Sequence, residues 1–259
     1  MENGYSGAVA ALQSGKITRE VVYAIGGFAA YIITCSPAAI RMHTAVLAGM
    51  VTNTTKLADA KGLFPDPPDA LAGKSVTELL ESGAIKLEVD RKYPQAIGII
   101  DIKDRVAAFG NFHWDILIND HADAPFFTSD YPVAIERDRG TDMLNRTFPL
   151  TPHLAVRINP DRNIKRTGFD LEFRQFSHSR RNLTRHEVVE INRKLVRGAE
   201  RFVFSNHERE WVPKFVAKNR NYRIEIRESA YPNARGMMMV TNQGIVPFAR
   251  KTNWWEARS

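Results

Sequence analysis

Apolar side chains recur three or four positions apart through residues 1–110, the spacing that places them on one face of a helix. Residues 21–40 contain no charged side chain, and they predict a buried core helix that is ended or kinked at Pro37. Their length approaches the roughly 20 residues that span a bilayer. Glycines, hydroxyl side chains and Pro37 interrupt them, so we expect no membrane contact. Residues 93–109 predict another helix, and residues 86–90 alternate as a strand would.

Period-two alternation replaces the helical spacing in the middle of the chain. Short strands separated by turn residues are predicted at residues 114–118, 126–128, 133–136, 147–150, 154–158 and 222–227. Residues 126–128 are apolar and run into a turn that contains Pro132. We therefore expect a central strand there, with Asp130 at its C-terminal end.

A capping box marks a late helix in the second half of the chain. Thr184 and Glu187 have the spacing of that motif, and an apolar stripe runs from Val188 through Leu195 to Phe202. The sequence thus predicts an α+β fold, with an N-terminal helical layer packed on a central, mainly antiparallel sheet that the late helix covers. We expect a single domain over 1–259, with a helical part at 1–110 and a sheet-rich part at 111–259.

Cysteine content and missing motifs narrow the chemistry. Cys35 is the single cysteine, so an intrachain disulfide and a thiolate zinc site are excluded, and a reducing, cytoplasmic setting is indicated. Residues 119–123 offer oxygen ligands and an imidazole, but asparagine and aspartate dominate turns for backbone reasons. The sequence contains no phosphate-binding loop, nucleophile elbow or HExxH motif. We expect no metal and no cofactor.

Two proline-containing turns carry the best polar candidates for catalysis. Asp130 follows an apolar run, and Thr128 and Ser129 would fix the orientation of its carboxylate. His153 follows the second turn and would act as a base or a ligand. The alternative for both is a structural role within the turn, with Asp130 bonding its own backbone before Pro132.

Basic residues give the chain a net charge of +7 and a pI of about 9.6. Such a charge attracts polyanions, although a similar charge also serves solubility alone. Arg193, Arg197 and Arg201 repeat every four positions and would share one helical face. This face predicts contact with nucleic acid through phosphates, unless the acids Glu187, Glu190 and Glu200 neutralise it; a salt-bridged solvent face is the alternative.

Three segments in one order resemble a known family. They are Phe-Phe-Thr-Ser-Asp-Tyr-Pro-Val at 126–133, Phe-Pro-Leu-Thr-Pro at 148–152, and a helix with asparagine followed by a strand ending in serine at 191–205. This order resembles domain of unknown function 4238, an uncharacterised, mostly bacterial family, over about residues 2–205. Residues 36–41 also resemble its arginine- and proline-containing helix segment.

The resemblance adds residues to watch and little chemistry. Arg41 and Asn192 lie in the segments that carry the resemblance. We expect both residues to approach Asp130 in one polar cleft. Members usually open with a His-Tyr-x-Pro segment that this sequence lacks, so a site that used that histidine would be incomplete here or completed by another chain.

Two hypotheses of function follow from the sequence. The first is an intracellular bacterial protein that acts on or near nucleic acid, in a defence or mobile-element setting, with Asp130, His153 and Asn192 catalytic and Arg41 and Ser129 binding. The second is a non-catalytic interaction module whose tail, Trp254 and Trp255, docks on a protein partner. Convergence of the polar residues in one cleft would favour the first.

Overall fold

The computed structural model describes residues 2–65, 67, 71, 73–138, 140–161, 163, 169–233 and 236–249. Its helices are α1 (Glu2–Gln13), α2 (Arg19–Cys35), α3 (Pro37–Ala60), α4 (Val76–Glu81), α5 (Lys92–Ile100), α6 (Ile102–Gly110), α7 (Arg185–Gly198) and α8 (Trp211–Asn219). Its strands are β1 (His113–Ile118), β2 (Thr128–Ser129), β3 (Ala134–Arg137), β4 (Leu144–Thr151), β5 (Leu154–Asn159), β6 (Ser177–Asn182), β7 (Val203–Phe204), β8 (Tyr222–Asn233) and β9 (Gly236–Pro247). The tail tryptophans Trp254 and Trp255 lie outside the described residues.

The predicted break at Pro37 divides two helices. Ser36 is in extended conformation, and its hydroxyl accepts a hydrogen bond from the backbone N–H of Ala39, which caps α3 with Pro37 in its first turn. Among the described residues no single helix is long and apolar enough to cross a membrane; α2 and α3 meet that test only as a pair bent by 57°.

Two predicted elements between residues 86 and 109 are wrong. Residues 86–90 have no regular structure, since their alternation finds no strand to pair with. The predicted helix at 93–109 is broken at Asp101, whose backbone leaves the helical region between α5 and α6. A continuous apolar pattern thus covered two separate helices.

The central sheet has five strands in the order β3-β4-β5-β1-β6. Its pairs are antiparallel except for β1 and β6, which are parallel. The strand β6 has no apolar pattern and was not predicted. It is held by side chains: the Ser179 hydroxyl donates to Asp115 at 2.7 Å, and Arg180 donates to the carbonyls of Leu12 and Gln13.

The predicted central strand at 126–128 is also wrong. Phe126 and Phe127 are buried but lie outside any strand, and the strand that follows, β2, pairs only with β7 in a separate two-stranded sheet. The Phe127 N–H donates instead to the side-chain oxygen of Asn192 at 2.9 Å. An apolar run indicated burial correctly, but it did not show which group would satisfy its backbone.

Helices cover both faces of the central sheet, and the fold is α+β as predicted. On one face, buried side chains of α2 and α6 pack with Trp114 and Ile116 of β1. On the other face, Val188, Ile191 and Leu195 of α7 pack with Leu117 of β1. Alternate residues of one strand therefore point into the two cores.

The capping box opens α7 as predicted, but the helix ends earlier than its apolar stripe. The Thr184 hydroxyl and the Glu187 carboxylate satisfy each other's backbone N–H groups at its start. At its end Ala199 is extended, so Phe202 lies beyond the helix. Phe202 is exposed instead of lying on the buried face with Leu195.

Candidate functional site

Asp130 holds the turn that follows α7. Its Oδ1 accepts a hydrogen bond from the backbone N–H of Glu200 at 2.8 Å, and its Oδ2 accepts from those of Arg201 at 2.7 Å and Phe202 at 3.3 Å. The backbone N–H of Asp130 donates in return to the Phe202 carbonyl at 3.2 Å. The carboxylate is therefore committed to backbone amides of residues 200–202, and not of its own turn.

Two exposed aromatic rings follow this turn. Phe202 is 58% exposed and Phe204 is 52% exposed, and their ring centroids lie 6.2 Å apart with an interplanar angle of 27°. Val203 between them packs against the core below α7. Phe202 and Phe204 therefore form a paired aromatic surface, which we call the aromatic platform.

The turn and its strand partner fix the platform to the rest of the protein. Phe204 pairs with Thr128 and Val203 with Ser129 in the two-stranded β2–β7 sheet. The buried Ser129 hydroxyl accepts a hydrogen bond from the Tyr131 N–H at 3.2 Å, which shapes the turn around Asp130. The motif around Asp130 thus positions two aromatic rings in solvent.

Asn192 has a different set of partners from those expected. It is 1% exposed, its oxygen accepts from the Phe127 N–H, and its Nδ2 donates to the Pro125 carbonyl at 2.8 Å. Both bonds join α7 to the segment before β2. Asn192 therefore connects buried backbone and contacts neither Asp130 nor Arg41 by hydrogen bonding within the described residues.

His153 also bonds to backbone. Its Nδ1 lies 3.0 Å from the Asn119 carbonyl oxygen and donates to it. The backbone joins the same two turns, since the Asn119 N–H donates to the His153 carbonyl at 2.9 Å. His153 therefore lies apart from Asp130, in the connection between β4 and β5.

Glu200 links Arg41 to Asp130. Its Nη2 lies 2.6 Å from Glu200 Oε1 and donates also to the Ile224 carbonyl at 2.7 Å. The Glu200 backbone N–H is one of the three that Asp130 accepts. The structure therefore brings Arg41 and Asp130 to the same turn without direct contact, and it leaves Asn192 and His153 elsewhere.

Among the described residues, an acidic side chain neutralises one of the three arginines of the predicted basic face of α7. Arg193 pairs with Glu190, and Lys194 pairs with Glu136 at 3.0 Å. The guanidinium of Arg197 lies over the Tyr222 ring, 4.4 Å from its centroid. At Arg193 the structure therefore shows the alternative of a salt-bridged face. Arg201, beyond the helix end, is the exposed basic residue adjacent to the platform.

No group of three or more histidine, cysteine, aspartate or glutamate side chains in the described part of the chain is placed to hold a metal ion. In the polar turn at 119–123, the Asn119 side chain bonds to backbone, as asparagine commonly does in turns. Its Oδ1 accepts a hydrogen bond from the His121 N–H at 3.0 Å, and its Nδ2 donates one to the Ala124 carbonyl.

The sequence contained a signal for the platform that the helical pattern obscured. Phe202 and Phe204 are separated by one residue, which is strand spacing, and they follow the last helical turn. The helical spacing predicts Phe202 on the helix because it continues the stripe of Leu195. Because α7 ends at Gly198, Phe202 follows the strand spacing and not the helical spacing.

A family model described as "Protein of unknown function (DUF4238)" matches residues 1–209. No curated protein matches the chain, and no solved structure does.

Proposed function

We propose that this chain, which belongs to the DUF4238 family, binds single-stranded nucleic acid by stacking bases on Phe202 and Phe204. The observation that carries the proposal is the exposure of two adjacent rings on a turn that Asp130 holds by three hydrogen bonds. Proteins that bind single strands use such rings, because every base has a π-face that can stack.

Charge supports a polyanionic ligand over a neutral one. The net charge of +7 raises the local concentration of polyanions. Arg201 is exposed next to Phe202 and would contact a phosphate as the base stacks. The proposal moves the expected phosphate contact from Arg193, which pairs with Glu190, to the turn beyond α7. It retains the cytoplasmic setting indicated by the single cysteine.

A protein partner is the second candidate, because exposed aromatic side chains also serve as anchors in protein interfaces. Such an interface would use the platform without regard to phosphate. Salt dependence separates the two, since phosphate binding releases counterions and weakens as salt rises.

Fluorescence anisotropy with a labelled oligothymidylate tests the proposal. We expect wild-type protein to bind, and Phe202→Ala and Phe204→Ala each to weaken binding by roughly 1–3 kcal/mol, the value of one stacked base. Tyr93→Ala removes an aromatic ring that is 61% exposed elsewhere and serves as the matched control. Equal affinity of wild type and both phenylalanine variants would contradict the proposal.

The contribution of Arg201 is measured by repeating the titration over a range of salt. Removing one phosphate contact to a single strand lowers the slope of log affinity against log salt by about 0.7. We therefore expect Arg201→Ala to flatten the slope by that amount. An unchanged slope would remove Arg201 from the proposed contact.

A further inference from the structure

A cavity of about 620 Å³ lies between α6 and the β3–β4 hairpin, away from the aromatic platform. Its volume is in the range of small-molecule sites, about 300–1,000 Å³. Ile33, Phe109 and Phe112 contribute apolar surface, and six charged side chains line the rest: Asp101, Asp104, Arg105, Arg137, Asp142 and Arg146. The arrangement of these charges determines what the cavity would bind.

Two of the cavity arginines have unused hydrogen-bond donors. The Nε atoms of Arg105 and Arg146 are buried and have no hydrogen-bond partner among the described residues. Arg146 donates a hydrogen bond to the Leu144 carbonyl of its own strand at 3.1 Å. It also donates one to Gln243 Oε1 of β9 at 3.3 Å, which joins it to the β8–β9 hairpin. Arg105 makes no ion pair with the described part of the chain. Buried donors without acceptors are costly. Because these Nε atoms have no contact with solvent, a ligand in the cavity would meet the two guanidinium groups at their Nη atoms.

Arg105 and Arg146 lie close enough for the charge of one to act on the other. Burial lowers the pKa of Arg146, and the positive charge of Arg105 lowers it further. The nearby Tyr131 raises the pKa of Arg146. Burial raises the pKa of Tyr131 to about 12, against the effect of Arg146 and Arg41, so its phenol is neutral at pH 7. Burial lowers the pKa of His43, whose Nε2 donates to the Ile33 carbonyl, and Arg105 adds to this effect. Arginines remain charged, so Arg105 and Arg146 repel each other.

The carboxylates that line the cavity do not relieve this repulsion by direct contact. Asp142 pairs with Arg137 at 2.9 Å, so those two charges cancel. Asp101 and Asp104 belong to the start of α6, and neither forms a hydrogen bond or ion pair with Arg105 or Arg146 among the described residues. Asp104 is exposed, whereas the two guanidinium Nε atoms are buried. The lining thus places the guanidinium groups of Arg105 and Arg146 beside two carboxylates, of which Asp101 is partly buried and Asp104 is exposed.

We propose that this cavity binds a small phosphate monoester, with its phosphate on Arg105 and Arg146 and its hydroxyl or amino groups toward Asp101 and Asp104. Two guanidinium groups suit a dianion, because each presents several N–H donors to phosphate oxygens. The acidic side favours a ligand that carries hydroxyl or amino donors away from its phosphate, and inorganic phosphate has no such groups. A sugar phosphate has both properties.

Isothermal titration calorimetry with ribose 5-phosphate and inorganic phosphate tests this assignment. We expect wild-type protein to bind both, and ribose 5-phosphate more tightly. Arg105→Gln should weaken binding of both ligands at least tenfold, since it removes the arginine that makes no ion pair within the described residues. Arg193→Gln removes the same charge from α7 and is the matched control. Equal affinity of wild type and R105Q would overturn the proposal, as would failure of wild type to bind either ligand.

Asp104→Asn tests the orientation of the ligand. It should weaken binding of ribose 5-phosphate relative to that of inorganic phosphate, because only the former has sugar hydroxyl groups that extend from the phosphate to the carboxylate. A parallel change for both ligands would refute the orientation.

Thermal denaturation without ligand confirms that each variant is folded. We expect R105Q to melt at or above the wild-type temperature, since it loses a partly buried charge that makes no ion pair with the described part of the chain. A lower melting temperature of R105Q would show that Arg105 supports the fold and would contradict its assignment to a ligand.

Discussion

Replacing Asp130 with alanine removes the acceptor of three backbone hydrogen bonds. A net hydrogen bond to a charged group contributes about 1.5–3 kcal/mol. The hydrogen bond from the Glu200 N–H is partly buried, so we expect it to contribute most of this free energy. The hydrogen bonds from Arg201 and Phe202 are exposed, and water replaces them in part when Asp130 is removed. We therefore expect Asp130→Ala to lower the free energy of unfolding by about 2–4 kcal/mol.

Urea denaturation followed by circular dichroism measures this change, with an unchanged m-value if unfolding remains two-state. Asp120→Ala is the matched control, because Asp120 accepts one exposed bond from the Asn182 side chain. A loss below about 0.5 kcal/mol, the usual effect of a surface substitution, would refute the role of Asp130 as the residue that holds the turn. The same variant should bind oligothymidylate more weakly, since the platform would no longer be fixed before binding.

Three further predictions concern the core and the start of α7. Leu195→Ala should lower the free energy of unfolding by about 2–5 kcal/mol, because Leu195 is fully buried; urea denaturation measures it. Gly110→Ala should cost about 1–3 kcal/mol by the same assay, since a Cβ there would lie 2.3 Å from ring atoms of the buried Phe173. Burial opposes ionisation of Glu187, but hydrogen bonds from Thr184 and Arg181 outweigh it and lower its pKa from 4.5 to about 2. Because the folded-state pKa is depressed, this stabilisation is present above pH 4.5 and is lost toward pH 2; Glu187→Gln should flatten a pH series of melting temperatures in that window.

The sequence predicted correctly those features that are stabilised by contacts between residues close together in the chain. The capping box at Thr184 and Glu187 and the helix break at Pro37 act within one helical turn, so the sequence located them. The strand β6 could not be found in this way, because its exposed polar residues are held by β1 and by Arg180 contacts with α1. Residues 126–128 likewise required knowledge of Asn192, which lies 65 positions away along the chain from Phe127.

The candidate site was predictable in its residues but not in their roles. The motif identified Asp130, yet the structure commits its carboxylate to amides 70–72 positions later. Arg41 and Asn192 were expected beside it, but Glu200 stands between Arg41 and Asp130, and Asn192 bonds to buried backbone. No single-sequence pattern encodes such distant partners. The catalytic roles considered for Asp130, His153 and Asn192 stay predictions.

Ultraviolet cross-linking of the wild-type protein to oligothymidylate, followed by mass spectrometry of the digested complex, tests the central claim most directly. Stacked bases cross-link to the aromatic rings they contact, so we expect the modified peptide to contain Phe202 and Phe204. Cross-links confined to other peptides, or none at a concentration where the strand is bound, would contradict the assignment of the aromatic platform.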